Sequence, residues 1–346
     1  MLMKKTKLFF CIVLTVALIV QITVPVFASD SSHIQFGMFP QDAVQDEALL
    51  TALNGIAAEW RESDGMRFAD AAYNGKMYRA VMFAKNRGKR TDGSGISYQK
   101  RNGYVPNTVY WFAYAPIVWR VLDAGEGICM SELLLDAQPF DRNNDPQHGY
   151  DYAYSTLRTW LNADFYETAF TSEEQAALRE HESLLYSFPR SKPLVTASVT
   201  DQVFLLSRRD VINEDYGFNH WISVADHARR ARGTDYAKCQ GLKVYALPFS
   251  GYKGNSLWWM CAPGYAADMV NKVYFDGYCS ADSYRDVNYT HIGVRPCICL
   301  DLSSLPDDAY TAYENPIPNT SVIAAWIWKG IMAFVRLFGP IQAWFV

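Results

Sequence analysis

The residues that could do chemistry in this chain are scattered. The six histidines, His33, His148, His181, His220, His227 and His291, form no metal-binding spacing such as His-Glu-x-x-His. There is no Gly-x-Ser-x-Gly elbow, phosphate loop or dinucleotide fingerprint. His220, Asp226 and His227 stand close in sequence, as an acid–base group would, but a surface helix start has the same look. Asp141-Arg142-Asn143-Asn144-Asp145 resembles half of a calcium loop. Pro146 stands where that loop needs Gly and Tyr152 where it needs Glu, so an Asx-rich turn is expected instead. These spacings call for no catalytic residue, no metal and no cofactor.

The stronger signal is a surface composition. Between Trp258-Trp259 and Gly293-Val294-Arg295-Pro296 lies a segment, 264–290, rich in Tyr, Asn, Asp and Ser. Such residues make recognition surfaces, because Tyr offers large contact area with few rotors lost. The candidate ligand contacts are Tyr265, Asn271, Tyr274, Tyr278, Asp282, Tyr284, Arg285, Asn288 and Tyr289. A long hairpin whose tyrosines pack on their own fold stays open as the alternative. Trp258, Trp259, Gly293, Arg295 and Pro296 read as structural. Paired indoles anchor a core, and the Arg295 fork suits loop carbonyls.

Those residues need elements to hold them. Alternation predicts a strand over 34–40, and helical spacing predicts a helix over 46–60. Asn74-Gly75 predicts a tight hairpin. Residues 85–107, with Lys85, Arg87, Lys89 and Arg90, read as a solvated basic loop. Strands are expected over 109–114, 117–123 and 128–135, split by Pro116 and a Gly-rich turn. A helix is expected over 153–170, and Thr171-Ser172-Glu173-Glu174 opens another. A short strand over 203–206, a helix over 223–232, a hairpin at Asp276-Gly277 and a last strand over 293–302 complete the reading.

The ends of the chain read differently. Residues 1–28 form a signal peptide: Lys4, Lys5 and Lys7, an apolar run, then Val26-Phe27-Ala28. The −4 net charge of the 346-residue chain becomes −7 without them. A mildly acidic chain with no basic run is not built for nucleic acid. Six cysteines outlast the leader: Cys129, Cys239, Cys261, Cys279, Cys297 and Cys299. Export invites disulfides, but no pairing follows from the spacing. After a domain at 29–302, residues 303–320 read as a Pro-rich linker and 321–346 as an apolar helix. At about 39 Å that helix is long enough to span a bilayer. Lys329 and Arg336 on one face favour an interfacial helix at a membrane surface or on partner chains, with a span as the alternative.

Several local patterns agree: Phe36-Gly37-Met38-Phe39-Pro40-Gln41, Tyr110-Trp111-Phe112, Pro116-Ile117-Val118-Trp119-Arg120-Val121-Leu122, Ser155-Thr156-Leu157-Arg158-Thr159-Trp160-Leu161-Asn162, Gly233-Thr234-Asp235-Tyr236-Ala237-Lys238-Cys239, and the two terminal motifs. Together, over about 34–302, they resemble an uncharacterised bacterial secreted domain-of-unknown-function family, number 6273. The last third is similar to C-type-lectin-like folds and, more distantly, to formylglycine-generating enzymes. The resemblance implies an α+β, C-type-lectin-like single domain, with two or three helices flanking a twisted, mainly antiparallel sheet. The chain departs from the family at Met260-Cys261-Ala262 and at Cys297-Ile298, where the family carries Leu-Arg-Ser and Ala-Leu. Cys261 with Cys279 or Cys297 imitates the enzymes' copper-binding pair, yet the family's lack of these cysteines argues against that role. The calcium and sugar triplets of true C-type lectins are missing.

The expected function is that of an exported, envelope-associated recognition protein that binds an extracellular protein or glycan through 264–290. The alternatives are an enzyme on the same fold, either a cysteine-dependent oxidase or a cell-wall hydrolase, and a non-catalytic structural envelope protein.

Overall fold

Alternating apolar residues build the first strand, β1 (His33–Ala43), which buries Ile34, Phe36 and Phe39. The computed structural model describes residues 33–145, 147–148, 150–186, 195–247, 251–263, 269–279 and 284–313. The expected signal peptide at 1–28 and the expected apolar helix at 321–346 lie outside them. Helix α1 (Glu47–Asn54) is capped by the Asp46 side chain, which accepts from Leu49 N at 2.7 Å. It is half the length the apolar spacing predicts. Gly55 closes it, with its N–H turned back to Ala52 O, and the chain then enters an edge strand, β2 (Arg61–Ser63).

Two tight hairpins follow. Asp64-Gly65 joins β2 to β3 (Met66–Tyr73), and Asn74-Gly75 joins β3 to β4 (Lys76–Phe83). All four turn residues have positive φ, 54°, 68°, 49° and 75°, as a two-residue primed turn requires. A single turn, α2 (Tyr98–Arg101), interrupts the long loop after β4. Strand β5 (Tyr110–Asp123) then runs straight through Pro116, where a break is expected from sequence. Pro116 lies opposite Met38, at a bulge in β1, so its missing N–H breaks no ladder bond.

Strands β6 (Ile128–Ser131) and β7 (Asp136–Ala137) precede the helical wall. That wall is α3 (Thr156–Trp160), a π turn over Leu161–Phe165, and α4 (Tyr166–Ala169). Thr171 and Glu174 form the capping box of α5 (Ser172–Ala177). Strands β8 (Leu178–Arg179), β9 (His181–Tyr186), β10 (Val195–Asp201) and β11 (Val203–Phe204) follow, then α6 (Asp235–Gln240). Strands β12 (Trp258–Pro263), β13 (Met269–Val273), β14 (Tyr284–Asp286), β15 (Gly293–Val294), β16 (Cys297–Leu300) and β17 (Tyr310–Thr311) close the described chain.

The result is an α+β protein, mostly sheet. The main sheet runs β11-β16-β6-β5-β4-β3-β2, with β1 on the other edge of β5, β17 on β1 and β8 on β16. A second sheet runs β14-β13-β12-β15-β7, and β9 and β10 make a separate ribbon. Every pair is antiparallel except β12 with β15. Six short α-helices stand among the described residues, against the two or three expected, and none is long and apolar enough to cross a membrane. The domain also runs past residue 302. Tyr310 pairs with Ile34, and the Tyr313 ring lies 5.2 Å from that of His33, so the start of the expected linker is folded onto β1.

The tryptophan pair sits between two apolar clusters. Trp259 packs in one and Trp258 in the other, as strand alternation dictates. Both are fully buried, and their Nε1 groups donate to Gln138 O (2.8 Å) and Arg229 O (3.0 Å). The expected last strand divides at Arg295-Pro296: Gly293–Val294 joins the second sheet and Cys297–Leu300 the main one. Arg295 is enclosed at that crossing, where Nε donates to Ser131 O at 2.8 Å and the guanidinium lies over the Trp258 ring.

Residues 223–232 are turns, not the helix their late positive charge suggests. Arg229 explains this. Its buried guanidinium donates to the carbonyls of Gly277, Val211, Asn219, Trp221 and Val224 at 2.8 to 3.1 Å. It gathers loop carbonyls that a helix would have consumed itself. Arg229→Lys keeps the charge but loses the fork, and should cost at least about 2 kcal/mol through unmade buried bonds. Urea unfolding reads this directly; a parent-like midpoint would mean that the loops hold themselves.

Candidate functional site

A cleft of about 870 Å³ opens beside the main sheet. One wall is the β2–β4 hairpin pair, the other is the helical run from Trp160 to Glu174, and β7 and α6 supply floor residues. A side pocket of about 210 Å³ shares Ser63, Gln138, Arg142, Trp160 and Asp164 with it. The π turn lies in the helical wall between two cleft residues, Trp160 and Glu167, and contains a third, Asp164. Such turns recur at functional sites because they re-aim neighbouring side chains. Trp160 is half-buried, and Asp164 and Glu167 are exposed.

The sheet wall carries a saturated charge network. Asp70 accepts from Arg79 Nε (2.7 Å) and Nη2 (2.8 Å), Arg61 Nη2 (2.7 Å) and Tyr114 OH (2.8 Å). Burial pushes the Asp70 carboxyl up, but Arg79, Tyr114 and Arg61 outweigh it and hold it below its ordinary range. Arg79 is also stacked near the rings of Phe68, Tyr114 and Tyr236, within 5.3 to 6.0 Å. This network builds the wall and leaves Asp70 no lone pair free for chemistry.

The floor differs. Asp136 is 2% exposed and accepts from Ala137 N at 2.6 Å. Burial pushes its carboxyl up to about 7, against the opposing pull of that N–H, Arg87 and Gln138. Its proton therefore exchanges near neutral pH, inside the cleft. Sequence reasoning passed over it; an acid that follows Leu133-Leu134-Leu135 directly was the available signal. Arg87 also departs from the solvated loop its neighbours suggest. Its side chain is 10% exposed, with Nη1 donating to Gln240 O (3.2 Å) and Nη2 paired with Asp64 (2.6 Å).

Among the described residues, none of those expected to form a paratope is in the lining of this cleft. Asn271 is buried, with Nδ2 donating to Pro263 O at 2.6 Å. Tyr289 is buried under Lys89, 4.4 Å from its ring centroid, and beside Arg90, which pairs with Asp286 at 2.8 Å. Tyr274 and Tyr278 are half-buried on the hairpin turn at Asp276-Gly277, rings 5.9 Å apart. Asn288 is half-buried. Tyr284 and Arg285 pair with Asn271 and Val270 in β14; Tyr265 and Asp282 lie outside the described residues.

The other candidates hold the fold. Asp226 accepts from Asn219 N and Ala228 N, both at 3.0 Å, and His220 lies 3.0 Å from Glu214. Asp141 accepts from Asp145 N at 2.8 Å, and Asp145 accepts from Gln147 N at 2.8 Å in an Asx turn. The six cysteines among the described residues are buried free thiols. Burial pushes Cys129 up to about 12, and Cys279 and Cys299 up to about 11, so these three keep their protons near neutral pH.

Residues 125–302 match the family described as Domain of unknown function (DUF6273). The chain belongs to this family. No curated protein and no solved structure matches it. The DUF6273 region contains Asp136, Arg142, the helical wall and α6, hence the cleft floor and one wall. The β2–β4 wall precedes it.

Proposed function

We propose that this DUF6273 protein is an exported recognition module, of C-type-lectin-like architecture, that seats a glycan in the cleft. The observation that carries this reading is the pairing of a half-buried Trp160 with exposed Asp164 and Glu167 on one wall, facing locked arginines on the other. A sugar presents a C–H face to an indole and hydroxyls to carboxylates and guanidinium groups. A cleft of this volume takes a few sugar rings. A protein face needs about 800 Å² of broad contact instead. The contacts thus move from the 264–290 segment to the cleft, because Asn271 and Tyr289 are enclosed. The signal peptide at 1–28 supports export, and the apolar tail at 321–346 supports attachment to the envelope or a membrane surface.

A glycan array probed with the mature chain tests this reading. Trp160→Ala should weaken binding by about 30-fold or more, as loss of a central aromatic contact does. Trp160→Phe should recover part of it, and both variants should melt near the parent. An array with no bound glycan, or one bound equally by Trp160→Ala, would sink the proposal. One observation favours a second reading, hydrolysis: Asp136 keeps its proton near neutral pH, as a general acid must. Turnover of bound glycans that disappears in Asp136→Asn would decide for it.

A further inference from the structure

Asp64 stands at the tip of the β2–β3 hairpin with φ 54°. Its carboxylate meets two guanidinium groups brought from distant parts of the chain. Arg87 Nη2 lies 2.6 Å from Oδ2, and Arg142 Nη1 contacts Oδ1. Among the described residues neither arginine is bonded to a second carboxylate. Arg87 turns its remaining bonds to Gln240, and Arg142 Nη2 donates to Gln138 Oε1 at 3.0 Å. Arg87 Nε is buried with no acceptor. Both arginines line the cleft, and Arg142 also lines the side pocket.

Two forked cations facing one carboxylate make the arrangement a bound acid would meet. Burial pulls both arginines below their ordinary range. Asp164 adds field at Arg142, and Asp136 at Arg87. The carboxylate hangs from an exposed hairpin tip. Strand β2 ends the main sheet, and its three residues are all exposed. Asp70, by contrast, sits within β3, bonded to three side chains.

We propose that Arg87 and Arg142 are the subsite for the carboxylate of an acidic glycan, of the uronate class, and that Asp64 is its internal stand-in, displaced when the ligand enters. This rests on the glycan reading of the cleft. It makes the hairpin tip a competitor, so that neutral sugars enter without displacing it and acidic ones gain the clamp.

Calorimetry on the mature chain tests this with three probes: an oligoglucuronate, a neutral oligoglucose of equal length, and acetate. The parent should prefer the acidic oligomer about tenfold or more. Asp64→Asn keeps a residue suited to the primed turn. It should strengthen acidic binding severalfold and leave neutral binding unchanged. Arg142→Gln should remove the preference and spare neutral binding; Arg142→Lys should restore only part of it. Equal binding of both oligomers in parent and Asp64→Asn overturns the subsite and leaves the cleft reading intact. A lowered melting temperature in Asp64→Asn without acidic gain also overturns it, making Asp64 a structural latch. Acetate bound by Asp64→Asn with neither oligomer bound keeps the clamp and removes the glycan reading. No binding of any probe removes both.

Discussion

Glu132→Gln should remove a large share of the molecule's stability, about 3–5 kcal/mol at pH 7. Glu132 is 2% exposed at its side chain and sits among three cationic or protonatable groups. Arg120 donates through Nε (2.5 Å) and Nη2 (2.8 Å), His33 Nε2 lies at 2.8 Å, and Arg295 Nη2 at 3.5 Å. Glutamine keeps the shape but leaves two buried guanidinium groups without a counter-charge. Set against a total of about 5–15 kcal/mol for a typical domain, that is a large share. The pH dependence follows from the same site. Burial raises the Glu132 carboxyl, but Arg120, His33 and Arg295 outweigh it and hold it well below the carboxylate range. A depressed acid stabilises above its unfolded value, near about 4.3, and that contribution is lost as pH falls through the folded value. Parent stability, read by urea unfolding, should therefore fall steeply below pH 4, and the Gln variant should be flatter there. A variant as stable as the parent at pH 7 would show that the cluster is held by packing alone.

Asp136→Asn should act in the opposite direction. Its folded carboxyl is pushed up to about 7 by burial, whereas the unfolded one titrates near about 4. Between those values the unfolded chain holds fewer protons, so this residue destabilises the fold progressively as pH rises through the window. Asparagine still accepts from Ala137 N and carries no charge to bury. The variant should match the parent near pH 4 and exceed it by roughly 2–4 kcal/mol at pH 8. Melts at both values test this. A variant less stable than the parent at pH 8 would mean that the ionised acid is compensated by Arg87 after all.

What could be read from sequence is what depends on close neighbours. The Asn74-Gly75 hairpin and the Thr171–Glu174 capping box each involve a few adjacent residues, and both stand in the structure. The Trp258-Trp259 anchor was legible because two adjacent indoles on a strand must enter opposite clusters. The misreadings share a different cause. Arg229 takes carbonyls up to 48 residues away, and no local pattern shows them, so 223–232 passed for a helix. Pro116 looked like a strand end because its compensating bulge is in β1, far earlier in the chain. Tyr289 looked like a contact residue because its covering cation, Lys89, is 200 residues upstream. The cleft joins the β2–β4 hairpins to a helix about a hundred residues later, and Asp136 acquires its chemistry only from that enclosure.

The turn between β5 and β6 has a bearing on where such a chain can be cut. The family match begins at residue 125, inside that turn, where Asp123 Oδ1 accepts from Gly125 N and Glu126 N. Strand β6 is bonded to β16 on one side and to β5 on the other. A fragment of 125–302 would bare a row of backbone donors and acceptors along β6, together with buried Cys129 and Met130. Such a piece should stick to itself rather than stay monomeric. In this chain the region matched by the family is thus smaller than the unit that buries its own strand edges. Strand β5, just ahead of it, supplies the shield for that border.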